Sequence, residues 1–138
     1  MIATQTSTEG GKMKTVKVAE LSGLPLCYTV CMLEKPTLVW GETIGIHYVS
    51  HQIVIPSLPA PTCFSPYTNW AMCGPIIERE NISLVREGDA TEYAASVYNH
   101  TLKDWHLFQY HDKPLIAAMR CYVASKLGEE VEIPDELL

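Results

Sequence analysis

Apolar positions fall into two helical blocks near the ends of the chain, with alternating β-rich stretches between them. In the first block Leu24, Cys27, Tyr28, Cys31 and Met32 recur at helical spacing and form one apolar face. The preceding Leu21-Ser22-Gly23-Leu24-Pro25 is a helix entry. Ser22 can accept from free amides, and Pro25 suits a first turn, where its missing N–H is harmless. Pro36 closes the block, so the pattern predicts a helix over about 22–34. The second block runs over about 114–127, where only Arg120, Ser125 and Lys126 interrupt an apolar surface. Such a helix is buried nearly all round. Asp112 is its expected cap and Gly128 its expected stop.

The stretches between and around these blocks predict strands at 14–18, 37–40, 43–49, 52–55, 82–86, 92–98 and 104–110. The last two form a hairpin across 99–103. Strict alternation sends Trp105, Leu107 and Gln109 to one face and His106, Phe108 and Tyr110 to the other. Aromatics on both faces argue for burial on both sides, as in a homo-oligomer. Pro56, Pro59 and Pro61 make a stiff extended connection. Ser65 and Pro66 begin a short helical turn that Gly74-Pro75 ends, with another short turn over 76–80. Residues 129–138 read as an extended, partly solvated tail. Residues 1–12 lack periodicity and are expected to be a disordered lead to one domain over 13–138. The fold class is α+β: an antiparallel sheet of about five or six strands packed by two main helices.

Composition narrows the functional classes. The 138 residues carry 47% apolar and 19% charged side chains, and 16 acids against 10 bases give a net charge of −6. A nucleic-acid binder needs a basic stripe for its phosphate contacts, and the bases here are scattered. No nucleic-acid partner is expected. No apolar run approaches the ~18 residues of a membrane-crossing helix, and the N-terminal residues have no apolar signal region. Five cysteines, an odd number, fit free thiols in a reducing cytoplasm. His47 and His51 lie in a strand-like stretch, and none of the five histidines has a matching cysteine or carboxylate pattern. Metals and cofactors are not expected. Neither a nucleophile elbow nor a phosphate-cradling loop is present, so no catalytic residue is assigned and an enzyme is the less favoured reading.

The densest chemistry lies between Phe64 and Glu80. Trp70 either closes the core beneath a proline-rich loop or stacks on a flat ligand. Thr68 and Asn69 beside it are turn residues or orienting hydrogen-bond groups. In Glu78-Arg79-Glu80 the guanidinium fork suits phosphate or carboxylate, while the alternative is a solvated surface pair. Arg120, inside an apolar helix, needs a partner: either a carboxylate such as Glu78 or a polar pocket. The candidate ligand-binding set is therefore Thr68, Asn69, Trp70, Glu78, Arg79 and Arg120.

Two blocks carry a family resemblance. Ser65-Pro66-Tyr67-Thr68-Asn69-Trp70-Ala71 with Gly74-Pro75-Ile76-Ile77-Glu78-Arg79-Glu80 follows a pattern close to S-x-x-D-W-A-x-G-G-P-I-I-E-R. The second block is Pro114-Leu115-Ile116-Ala117-Ala118-Met119-Arg120-Cys121-Tyr122-Val123-Ala124-Ser125-Lys126-Leu127-Gly128 with Val131-Glu132-Ile133-Pro134. With a weaker piece at Ala19-Glu20-Leu21-Ser22-Gly23, the chain resembles the NinX-like family of small proteins of tailed phages and prophages, whose function is unknown. Asn69 stands where that pattern has an acid, and Cys73 where it has a first glycine. The Pro66-x-x-x-Trp70 loop is also loosely similar to one in phage proteins that sequester nucleotide immune signals.

The resemblance implies a phage accessory protein in the cytoplasm of an infected bacterium. Three functions stay open. The first is a non-enzymatic binder of a small ligand, such as a nucleotide signal, that counters host defence. The second is a protein-binding inhibitor of a host or defence factor. The third is a small phage enzyme acting on a nucleotide.

Overall fold

The computed structural model describes residues 12–34, 45–47, 52–55, 62–64 and 69–138. The class is α+β, and the two main helices lie within a residue of the expected bounds. They are α1 (Gly23–Glu34) and, taking α3 as the third helix along the chain, α3 (Pro114–Leu127). The strands are β1 (Met13–Lys17), β2 (Gly45–His47), β3 (Gln52–Ile55), β4 (Thr62–Phe64), β5 (Ile82–Val85), β6 (Tyr93–Asn99), β7 (Asp104–His111) and β8 (Glu130–Pro134). Rather than one sheet they make three antiparallel groups, β1–β8, β2–β3–β4 and β5–β6–β7. The strand expected over 37–40, the proline-rich connection and the lead 1–11 lie outside the described residues.

A third helix, α2, spans Trp70–Glu80 without a break at Gly74-Pro75. Pro75 lacks the amide that would bond the Ala71 carbonyl one turn back. Both residues are exposed, so water can take that carbonyl, and the helix continues instead of splitting into two turns. Its far end is closed by Asn81 in the left-handed region (φ 55°), whose amide bonds back to the carbonyls of Ile77 and Glu78.

The tail expected to be extended and partly solvated is a strand with one buried and one exposed face. β8 pairs with β1 in register, Val16 opposite Val131 and Lys14 opposite Ile133. Val131, Ile133 and Leu137 are buried. Alternation puts the valine and isoleucine on the core face and leaves the glutamates outside.

The core is built around α3. Ten consecutive residues, Leu115 to Ala124, are buried, because α1, α2 and the β5–β6–β7 sheet all pack on this helix. Gly128 ends it at φ 93°, a conformation that suits glycine. Asp112 is not the cap. Lys113 takes that position without a side-chain bond, and its amide donates to His111 Nδ1 (3.0 Å). In α1 the fully buried residues are Leu26, Cys27, Thr29, Val30 and Cys31, and Leu24, Tyr28 and Met32 of the expected face pack half-buried against the same core. Thr29 fits it because its hydroxyl donates to the Pro25 carbonyl (2.9 Å).

The hairpin holds one irregularity. Asn99 Oδ1 accepts from the amides of Thr101 and Leu102 and shapes the turn. Further along, Ala95 pairs with Gln109 but Val97 pairs with His106, so β7 carries an extra residue there. Leu107 sits at φ 60° within this bulge. The bulge resets the alternation. Leu107 turns to the core with Tyr93, Ala95 and Val97, while Trp105, Phe108 and Tyr110 are all exposed, as is Tyr98. The aromatics therefore share one outer face rather than being split between two.

Candidate functional site

The six candidate residues do not converge. Thr68 lies outside the described residues. Asn69 and Trp70 stand at the start of α2, Glu78 and Arg79 at its end, and Arg120 in α3.

At the start of α2, Asn69 is in an extended conformation and its Oδ1 accepts from the Ala71 amide (2.8 Å). This is an N-cap; the turn expected to begin at Ser65 and Pro66 lies outside the described residues. The Asn69 carbonyl accepts from the amides of Met72 and Cys73. Trp70 follows as the first helical residue and is 56% exposed. It does not close the core. Cys73 and Ile76 are buried, and Met72 and Ile77 pack against the core beside them. Trp70 thus projects beyond the packed part of the helix. The first turn holds no acid, so no carboxylate of that turn offsets the positive end of the helix dipole beside the indole. The asparagine in place of the resemblance's aspartate matters here, since a carboxylate at the cap would repel an anion.

At the other end the charges are engaged. Arg79 donates through Nη1 and Nη2 to the Glu34 carboxylate of α1 (3.2 and 2.7 Å) and through Nε to Glu80 (2.8 Å). Lys126 of α3 reaches the second Glu80 oxygen at 3.0 Å. The Tyr122 hydroxyl donates to Glu34, with the Arg79 guanidinium 5.7 Å from the ring centroid. Bonds to Glu34 and then Glu80 hold the Arg79 pKa well above its ordinary value. Burial pushes Glu80 up, but hydrogen bonds from Arg79 and Lys126 outweigh it and leave its carboxyl below the usual range. Burial, then Glu34, raises the Tyr122 phenol. Glu78 is exposed on the same turn. Sequence reasoning missed Glu34 and Tyr122. The available signal was Glu34 as the last residue of a helix and Tyr122 as a polar tip in an apolar one.

Arg120 is 8% exposed. Its Nε donates to the Leu21 carbonyl (2.6 Å) and its Nη1 to the Tyr110 carbonyl (3.0 Å). Its hydrogen-bond partners are thus backbone carbonyls, neither Glu78 nor a pocket. Burial lowers its pKa, and the nearby charge of Glu92 offsets this in part. Arg120 ties the entry of α1 and the end of β7 to α3.

An open cleft of about 420 Å³ is lined by Lys17, Ala19, Gln109, Glu129 and Glu130. None of the six candidates lines it, and two carboxylates against one lysine do not suit an anion. Among the described residues no group of histidines, cysteines and carboxylates is arranged to hold a metal ion. Cys27, Cys31, Cys73 and Cys121 are buried and form no disulfide among the described residues. Burial pushes the thiols of Cys73 and Cys121 up to about 12, the reverse of what a nucleophilic thiolate needs. No helix among the described residues is long and apolar enough to cross a membrane.

Among known families, the model described as Bacteriophage P22, NinX matches residues 17–126. The chain belongs to this phage protein family. No curated protein matches it.

Proposed function

We propose that this phage protein acts by binding a flat anionic small molecule of the nucleotide class, without chemistry, and so withdraws a signal from host defence. The observation that carries the reading is Trp70, more than half exposed at the first position of α2. An indole in that place loses apolar burial and gains nothing for the core, whereas stacking on a base is worth ~1–3 kcal/mol. The helix terminus beside it, with no acid in its first turn, favours a negatively charged ligand. Asn69 holds the turn that presents the ring. Because the nearby amides are already bonded within the turn, the charge is met by the dipole rather than by a cradle of N–H groups. The saturated Arg79 contributes by fixing α2 against α1.

The test is incubation of the protein with cyclic and ADP-ribose-derived nucleotides, removal of free ligand, and release by heat. The expected result is intact nucleotide from the wild type and none from a folded Trp70→Ala variant. Chemically altered nucleotide would establish the enzyme instead. No uptake by the wild type, with a specific host protein co-purifying from infected cells, would establish the protein-binding inhibitor.

A further inference from the structure

Among the described residues, the elements that pack on β6 and β7 are β5 and α3, and neither of these covers the aromatics on the outer face of the β5–β6–β7 sheet. Register places Val85, Ala94 and Tyr110 side by side across the three strands, Ser83 beside Ser96, and Tyr98 beside Trp105. The bulge at Leu107 adds Phe108 to the same surface. Val85, Tyr98, Trp105, Phe108 and Tyr110 are each 37–53% exposed. The opposite face is the one packed on α3.

We propose that this face is covered by the same face of a second copy of the chain, forming a two-fold symmetric dimer. Three observations select that occupant. The first is area. Aromatic side chains carry ~150–250 Å² each, so the five exposed residues offer on the order of 400–500 Å². That lies within the ~300–600 Å² of the largest apolar patch on a typical monomer, a size of patch that is often functional. Ser83 and Ala94 add partly exposed surface, whereas Ser96 is 5% exposed, so the ~800 Å² per partner of a stable interface would take in this patch and its rim.

The second is charge. Ser83, Val85, Ala94, Ser96, Tyr98, Trp105, Phe108 and Tyr110 include no ionisable acid or base apart from the two phenols, and the ionisable ring beside them is His100, edge-on to Tyr98 at 5.0 Å. Aromatic enrichment and charge depletion mark the centre of a protein interface. A nucleic acid stacking on these rings would need cations beside them. Two copies of a chain with net charge −6 can meet here without bringing carboxylates together.

The third is shape. The bulky row Trp105, Phe108 and Tyr110 lies on β7, while the middle of β6 and β5 carries the small Ala94, Ser96 and Ser83, with Val85 at one end and Tyr98 at the other. A two-fold axis through the face lays the bulky row of one copy over the small row of its partner, as an isologous contact requires, and sheets pack face to face in this manner.

The full-length chain should sediment at twice its 15.4 kDa mass at micromolar concentration. Phe108→Glu places a charge in the middle of the face and should sediment as a monomer with an unchanged far-UV circular dichroism spectrum. If that variant fails to fold, Tyr110→Lys, at an equally exposed position, decides in its place. A monomeric wild type overturns the proposal. So does a dimer that persists in a folded Phe108→Glu or Tyr110→Lys variant, because the contact then lies elsewhere.

Discussion

The two ends of α2 are ten residues apart and are used in opposite ways. At the Glu78-Arg79-Glu80 end, charged groups from three helices saturate one another. Arg79 spends its fork on Glu34 and Glu80, and Lys126 completes Glu80. At the Asn69-Trp70 end, a large aromatic ring is left in solvent above a capped helix terminus. Both ends look functional in the sequence, since arginine forks and exposed tryptophans both bind ligands. What separates them is satisfaction. A group whose hydrogen bonds and charge are met inside the protein has little left to offer a ligand, whereas an apolar surface in water gains from being covered.

The contrast can be broken or sharpened at graded positions. The largest effect is expected at Arg120, the most buried arginine of the described residues. Arg120→Ala leaves the Leu21 and Tyr110 carbonyls without their donor inside the core. It should destabilise by about 3 kcal/mol, read from a urea midpoint, since each lost buried partner costs ~1–3 kcal/mol. Arg79→Ala should cost about 1 kcal/mol in the same measurement, less because half of the side chain is exposed and screened. Nucleotide uptake should survive it. Loss of uptake with no loss of stability would reverse the roles assigned to the two ends.

Asn69→Ala removes the cap and should also cost ~1 kcal/mol, and it should weaken uptake by loosening the turn that presents Trp70. Asn69→Asp should keep the stability and weaken uptake, because it places a negative charge where the ligand's anion sits. A smaller effect is expected from acid. Glu80 has a folded pKa below its unfolded value. Its contribution is therefore complete above the unfolded carboxyl value of ~4.3 and is lost as pH falls through the lower folded one. In Lys126→Met the depression of Glu80 should shrink, and the acid midpoint of unfolding should move upward.

Much of this architecture is legible in the sequence. The near-continuous apolar run 114–127 and the Pro25-to-Glu34 block predict α1 and α3 to within a residue, because both carry clear terminators. The hairpin strands are legible from their aromatic and β-branched content. Three features are not. Helix α2 hides behind Gly74-Pro75, since a pattern cannot show that Pro75 and the carbonyl it strands both face water. The bulge at Leu107 has no glycine or asparagine to announce a positive φ, so strict alternation assigned the aromatics to two faces. The partner of Arg79 is Glu34, distant in sequence and supplied by the packing of α1 on α3 and α2 on α3. Of the candidate site, the sequence left Trp70 open between core and ligand contact, and its exposure required the structure. Arg120 drew notice for being an arginine in an apolar helix, a sound signal of an internal partner that said nothing of whether that partner was a ligand.

The claim on which the rest depends is that Trp70 is a contact residue. The most direct test measures thermal stability and nucleotide uptake together on Trp70→Ala. An exposed side chain outside the core should cost less than ~0.5 kcal/mol, so the melting temperature should stay within a few degrees of the wild type while recovered nucleotide falls to background. A variant that loses several kcal/mol, or one that keeps its stability and still takes up ligand as the wild type does, would contradict it.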